Sequence, residues 1–353
     1  MDYVPDPLGW GPQNRIIMAL FSQEFGIDLG TYYTMIAEEG VLLEREPTVV
    51  AIAIDEQKIV EIGQSAKEMF GRVPDSLEIA HPLQHGVIAD YEITQKLLEY
   101  LIKEVTGPIR LFHPRIMVSV PYGVTSVESR AVQEAVLEAG AREVFLIEQP
   151  LAAAIGIDLP INTPTGNMIL NLGGGATQAA VLAMFGIVSA ATLRKGGADL
   201  DEAIATYVRR KYGLIIAQPT AERIKLEIGA AVPMNEKAGI EVQGQEQVTG
   251  LPQPLTLTTG EIVEALKDPL KEIVETARKV LEKTPPELVS DIIDRGIALS
   301  GGSALLPGME KLLTKELGVP TYLVDNPTTC VVEGASRAFA PGIFPKIRRN
   351  LIS

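Results

Sequence analysis

Two stretches of this chain follow one template, and they narrow the possible folds more than any other feature. Ile27-Asp28-Leu29-Gly30 is followed by Thr34, and Leu170-Asn171-Leu172-Gly173 is followed by Thr177 at the same offset. Each is an apolar run that breaks at glycine and resumes as a second β-rich run, the pattern of a strand, a tight turn and a returning strand. Glycine at the turn lets the backbone approach a ligand closely. The stretches lie 143 positions apart (171 minus 28), which indicates a duplicated fold that grips one phosphate chain from two sides. They differ at the strand end, where Asp28 is an acid and Asn171 is its neutral amide.

The rest of the chain alternates β and α patterns. Residues 1–13 hold three prolines and two glycines among their last nine positions and read as irregular, with order beginning near Arg15. Apolar β runs are predicted at 48–54, 116–120 and 144–147, and helices at 94–105 and 127–139, where apolar residues recur at helical spacing. The second half repeats the plan with strands at 168–172, 179–184 and 187–193 and a helix at 200–211. An insertion follows, with a helix at 220–229 and short β segments over 240–257. A long helix over 261–282 is halted by Pro285 and Pro286, and a strand at 297–300 runs into Gly301-Gly302 and a helix at 309–317. Two similar halves of interleaved strands and helices predict an α/β protein with a cleft between domains.

A length of 353 residues suits about two domains. The net charge of -14 argues against nucleic acid as a partner, because a phosphate backbone must be met by clustered bases. The single cysteine, Cys330, excludes an intrachain disulfide framework, fits a reducing compartment and reads as a packing residue rather than a nucleophile. With only His81, His85 and His113 beside it, zinc-ligand spacing is absent. No apolar run approaches the roughly 20 residues of a spanning helix. The start carries Asp2 and Asp6 and no base, unlike a secretory signal, so a cytoplasmic location is expected.

Longer strings carry a resemblance to a known family. GIDLGT (26–31), HPLQHGVIADYE (81–92), VPYGVTSVESRAV (120–132), GAREVFLIEQPLAAAIG (140–156), DEAIATYVRRKYGL (201–214), ERIKLEIG (222–229) and LEKTPPELVSDIIDRGIALSGGSALLPG (281–308) resemble the bacterial actin homologues called MreB. These belong to the larger superfamily of actin, sugar kinases and heat-shock ATPases. The resemblance implies an actin-like ATPase fold: two duplicated α/β, ribonuclease H-like domains with small inserted subdomains around a nucleotide cleft. Domain I would span 22–155 with an insert at about 45–90, and domain II 156–340 with an insert at about 196–260. The last helix would return to domain I, flanked by an irregular start at 1–21 and a basic tail at 341–353.

ATP with Mg2+ is the ligand so implied. Gly30, Thr31, Tyr32 and Tyr33 would form the first phosphate loop, and Gly173, Gly174, Gly175 and Ala176 the second. Asp28 would hold the metal through water. Gln149 stands where the family positions the attacking water, and Asp28 and Asn171 complete the expected catalytic set. Glu222, Arg223, Ile224 and Lys225, with Gly301, Gly302, Ser303 and Ala304, would contact ribose and adenine. A strand-turn-helix with paired glycines independently supports the last group, since it offers N–H groups to a ligand.

Departures from the family pattern cluster around the phosphates. Tyr32-Tyr33 replaces smaller residues, Gln149 replaces a glutamate, Asn171 an aspartate, Gln178 a glutamate and Ala198 an aspartate. An amide can orient water but cannot take its proton, and losing a general base typically costs roughly 10²- to 10⁴-fold in rate. Weak or absent ATP hydrolysis is therefore expected. The alternatives kept open are a nucleotide-independent scaffold or regulatory MreB paralogue, and, further off, a superfamily kinase.

Residues 107–115 form a short loop in which Arg110 and Arg115 flank Leu111 and Phe112. Exposed apolar residues between bases suit insertion into an anionic membrane surface. Ile16, Ile17, Leu20 and Phe21 would share one face of a short helix and add a second contact. The basic tail at 346–352 either adds charge or is disordered. The resemblance further implies self-assembly into protofilaments, attachment to the inner face of the cytoplasmic membrane, and integral membrane proteins of cell-wall elongation as partners, with other MreB paralogues as further candidates.

Overall fold

The computed structural model describes residues 23–56, 58–107, 113–234 and 238–352. Ile16, Ile17, Leu20, Phe21, Leu111 and Phe112, expected at a membrane, lie outside the described residues, as does the irregular start.

Two five-stranded sheets of the same order and sense form the framework. In the first, the central strand Glu24–Leu29 runs antiparallel to Tyr33–Glu38, with Val41–Pro47 outside it. On its other side it runs parallel to Arg115–Val120, with Glu143–Glu148 beyond. In the second, Asn167–Leu172 takes the central place, antiparallel to Thr177–Ala183 and then Gly186–Leu193, and parallel to Ile297–Ser300 and then Thr321–Leu323. The registers match residue for residue: Leu29 faces Thr34 as Leu172 faces Thr177, and Asp28 lies beside Ser119 as Asn171 lies beside Ser300. Central strands covered on both faces are mostly apolar, which is why they read as hydrophobic runs interrupted only near their ends, at Asp28 and Asn171.

Helices cover these sheets and begin earlier than periodicity alone predicts, because their caps set the start. Tyr91–Thr106 is capped by the Asp90 side chain, which accepts from the Ile93 N–H at 3.1 Å. Ser126–Glu138 opens with a reciprocal capping box between Thr125 and Glu128. Leu97, Leu98, Leu101 and Ile102 are fully buried against the first sheet. The long helix ends at Lys283, just before Pro285 as expected, but not every proline here breaks a helix. Thr259–Lys283 carries Pro269 inside it, and Pro286 starts a further helix, Pro286–Arg295, where its missing N–H costs nothing.

The inserts differ in kind. The first is a three-stranded sheet, Lys58–Ile62, Val50–Ala53 and Leu77–Ala80, with the short helix Gln64–Glu68. The second combines helices Gly197–Tyr212 and Gln218–Ile228 with the hairpin Gly239–Glu246 and Pro252–Thr258. They approach each other at Lys67 and Glu222, 3.8 Å apart.

Each sheet has its own core, and a third apolar cluster joins them through helices Gln149–Gly156 and Cys330–Arg337. The second of these comes from late in the chain and packs directly on Gly26 of the first central strand. The tail is neither loose nor merely a source of charge. Ile347 of helix Phe344–Ile347 is fully buried, and the Ile352 N–H donates to the Leu146 carbonyl at 3.2 Å. The Phe344 ring stacks on Phe339 and meets Phe145 edge to face, and the Arg115 guanidinium lies within 5.5 Å of all three rings while pairing with Glu24 and Glu143. Among the described residues no helix is long and apolar enough to cross a membrane.

Candidate functional site

The two glycine loops are closed by the same bond. The Gly30 N–H donates to the Tyr33 carbonyl at 3.2 Å, and the Gly173 N–H to the Ala176 carbonyl at 2.9 Å. The turns meet at their tips. A Cβ on Gly174 would lie 2.3 Å from the Tyr32 ring, and one on Gly175 would lie 2.1 Å from the Thr31 hydroxyl. These two glycines therefore serve loop-to-loop contact as well as ligand approach. Behind the second loop, helix Gly197–Tyr212 spends its first N–H groups on the loop itself: Gly197 donates to Gly173 at 3.0 Å and Ala198 to Gly174 at 2.8 Å. Ala198, where the family has aspartate, thus acts through its backbone.

Between the loops lies a cleft of about 430 Å³, within the usual range for a small-molecule site. It brings together most of the residues singled out from the sequence: Asp28, Gly30, Thr31, Tyr32, Tyr33, Gln149, Asn171, Gly173, Gly174, Gly175, Ala176, Glu222, Lys225, Gly301, Gly302 and Ser303. Three do not line it. Arg223 is exposed away from the cleft, Ile224 is fully buried in the core of the second half, and Ala304 packs into that same core. For Arg223 and Ile224 the reason is helical period. On helix Gln218–Ile228, positions 222, 225 and 226 share a face while 223 and 224 do not.

That same period points to a residue the sequence reading missed, Leu226, which lines the cleft although it is 74% exposed. With Leu305, Leu306 and Pro307 it makes one end of the cleft apolar. The other end is polar, with the loops, Asp28, Gln149 and Asn171. Arg45 also reaches the cleft and lies over the Tyr33 ring at 4.3 Å, with Lys67 on that ring at 5.5 Å.

Asp28 is buried, and desolvation pushes its carboxyl above the usual carboxylate range, against the opposing pull of hydrogen bonds from Ser119 and Gln149. Both bonds go to Oδ1, from Ser119 Oγ at 2.5 Å and from Gln149 Nε2 at 3.2 Å. Gln149 Oε1 in turn accepts from Gln178 Nε2, and Gln178 Oε1 accepts from the Tyr122 N–H at 2.8 Å. The matching position in the second half is milder: Asn171 Oδ1 accepts from Ser300 Oγ at 3.3 Å.

Lys225 does not project a free charge into the cleft. Its ammonium donates to the Gly197 carbonyl at 2.9 Å and forms an ion pair with Asp201 Oδ1 at 2.8 Å, lying off the hydrogen-bonding direction of that oxygen. Asp201 Oδ2 accepts from the Tyr32 hydroxyl at 2.7 Å, which itself accepts from Gln218 Nε2 at 3.0 Å. Burial first, and then the charge of Asp201, pushes the Tyr32 phenol far above its ordinary value, so it stays a donor. The Cys330 thiol is buried and raised to about 12 by desolvation, consistent with packing rather than chemistry.

No cluster of three or more His, Cys, Asp or Glu side chains among the described residues could hold a metal unaided. The donor set fits Mg2+ only together with phosphate: one carboxylate, whose Oδ2 makes no hydrogen bond among the described residues, beside loops that hold phosphate oxygens.

Comparison with known proteins agrees with this geometry. The model of the MreB/Mbl protein family matches residues 22–341. Cell shape-determining protein MreB of Escherichia coli strain K12 is 46% identical over 325 residues, 90% of this chain and 94% of that protein. Mbl of Bacillus subtilis strain 168 is 39% identical, covering 89% of this chain and 95% of that protein. Among solved structures, MreB5 of Spiroplasma citri bound to ADP has a TM-score of 0.86 at 29% identity, covering 93% of this chain and 98% of its own. A MamK double helical filament has a TM-score of 0.76 at 22% identity, covering 90% of this chain and 98% of its own, a likeness of fold. The chain belongs to the MreB/Mbl family, whose members include cell shape-determining proteins, and has their actin-like α/β fold.

Proposed function

We propose that this protein binds ATP with Mg2+ in the cleft, assembles head to tail into filaments, and organises cell-wall elongation and rod shape from the inner face of the cytoplasmic membrane. The observation that carries the reading is the pair of matched glycine loops meeting across one cleft, with the Asp28 carboxylate at the end of the strand that leads into the first. The phosphates belong at the loops and the metal's waters at Asp28. The base belongs at Leu226, Leu305 and Pro307, with Glu222 and Ser303 nearer the ribose. Its relative MreB5 was solved with ADP and with AMPPNP, which supports a nucleotide as the ligand. A head-to-tail contact joins different surfaces of successive copies and so extends without closing. Partners would be further copies of the chain or its paralogues, the membrane surface through Leu111, Phe112 and the Ile16 to Phe21 segment, and integral membrane proteins of cell-wall elongation.

Hydrolysis is expected to be slow, since Gln149 and Asn171 offer amides where a base or second metal-facing acid would act. A second reading, assembly without nucleotide, is favoured by the Tyr32 to Asp201 bond, which holds the cleft together without a ligand. Sedimentation with ATP, ADP and no nucleotide, beside a phosphate-release assay, separates the two. Pelleting that depends on ATP with Mg2+, with slow release, supports the first. Equal pelleting in all three conditions replaces it with the second.

A further inference from the structure

Resting on that nucleotide reading, we infer that Gln178 is a positioning residue that decides which edge of the Gln149 amide faces the phosphates, and that in this chain it is the donor edge. The direction is set from one end. The Tyr122 backbone N–H can only donate, and it points at Gln178 Oε1 at 2.8 Å. Gln178 must therefore turn its NH2 the other way, where it meets Gln149 Oε1. That leaves the Gln149 NH2 facing Asp28, 3.2 Å from Oδ1. Gln178 is fully buried and Gln149 nearly so, so reversing either amide would leave buried polar groups facing groups of the same kind. A residue that orients attacking water needs an acceptor turned toward it. Here the Gln149 carbonyl is turned to Gln178 instead. The two glutamate-to-glutamine departures, separated by 29 positions (178 minus 149) in the sequence, thus act as one unit.

The consequence is a change at the cleft from a residue that does not line it. A carboxylate at 178 would keep the Tyr122 N–H on one oxygen and require a donor on the other. Gln149 would then rotate, giving its NH2 to residue 178 and turning its carbonyl toward Asp28, where the two acceptors lie together by sharing one donor, the attacking water.

The test uses the full-length protein as Gln178→Glu, as Gln178→Met, which neither donates nor demands a donor, and as Gln178→Glu combined with Gln149→Met. In nucleotide-free protein, the 15N side-chain amide resonances of Gln149 are identified by their loss in Gln149→Met. They are expected to move in Gln178→Glu and to stay near their wild-type positions in Gln178→Met. Phosphate release should rise at least about ten-fold in Gln178→Glu, stay within about two-fold of wild type in Gln178→Met, and fall back in the double variant. Unmoved Gln149 resonances in Gln178→Glu, or a rate gain that survives Gln149→Met, would overturn the inference. If no form releases phosphate, ATP binding is measured separately: its absence means that the nucleotide reading has failed, and in either case the resonances alone decide the orientation. Should Gln178→Glu not fold, the Gln178 amide is compared between wild type and Gln149→Glu. An unchanged, protected NH2 supports the assignment, and a freely exchanging one refutes it.

Discussion

Burial holds the Asp28 carboxyl above the usual carboxylate range, so its charged form is held at a cost to the fold. Both of its hydrogen bonds fall on Oδ1, and the carbonyl oxygen of an asparagine could accept the same two. Asp28→Asn is therefore expected to stabilise the ligand-free protein by about 1 kcal/mol, the usual gain when a functional site is relieved of strain. It should also remove the stabilisation conferred by ATP with Mg2+. Urea denaturation midpoints with and without the ligand check both halves; a less stable ligand-free variant, or undiminished gain from the ligand, contradicts the account. Asp28 and Asn171 were legible as a pair because both sit at one offset within a repeated local pattern. The link from Gln178 to Gln149 was not, because it depends on the registers that place Thr177–Ala183 beside Asn167–Leu172 and carry Gln178 toward another sheet's helix. Arg223 and Ile224 were misplaced for a simpler reason: a contiguous string was carried onto a helix whose period presents only part of it to the cleft.

Helices Gln149–Gly156 and Cys330–Arg337 cross with their backbones almost touching, and this crossing ties Gln149 to the first central strand. A Cβ at Gly334 would lie 1.8 Å from the Ala152 carbonyl oxygen, and one at Gly156 would lie 1.9 Å from that of Cys330. Neither obstacle is a side chain that can swing aside. Gly334→Ala is expected to cost about 3 kcal/mol or more by forcing the helices apart, at the upper end of overpacking penalties. Gly260→Ala, in the first turn of Thr259–Lys283 with open space around it, should cost nothing and can gain up to about 1 kcal/mol from helix propensity. Chemical denaturation of the two variants compares them directly, and equal stabilities would remove the crossing from the argument. The resemblance implied a last helix returning to the first domain, but neither crossing helix was legible from periodicity. Every residue of Gln149–Gly156 is buried, so it has no polar face for periodicity to register, and Cys330–Arg337, with Glu333 and Arg337 on one face, is too short for a period to show. Tyr91–Thr106, with one buried and one wet face, was legible at once.

Across the whole molecule, the two halves are held at the cleft by few polar contacts of unequal weight. Arg194 and Glu128 pair at 2.7 Å and Lys67 and Glu222 at 3.8 Å, but these side chains are wet, and such pairs contribute at most about 1 kcal/mol. The Tyr32 hydroxyl differs, because it leaves the first loop, crosses to the second half and bonds a carboxylate with no exposure to water. Tyr32→Phe keeps the ring on Gly174 and removes the bonds to Asp201 and Gln218. Losing a hydrogen bond to a charged group costs about 1.5–3 kcal/mol, which moves a two-state equilibrium between closed and open cleft by roughly ten-fold or more. Asp201 keeps its ion pair with Lys225, so the variant should fold. Small-angle X-ray scattering of wild-type protein is then expected to change little when nucleotide is added, since closure is already held by the chain itself. Ligand-free Tyr32→Phe should scatter as a more open particle and close again with nucleotide. If the ligand-free variant and wild type scatter alike, Tyr32 does not govern closure, and other contacts between the halves hold them together, among them those of Gln178 with Tyr122 and Gln149.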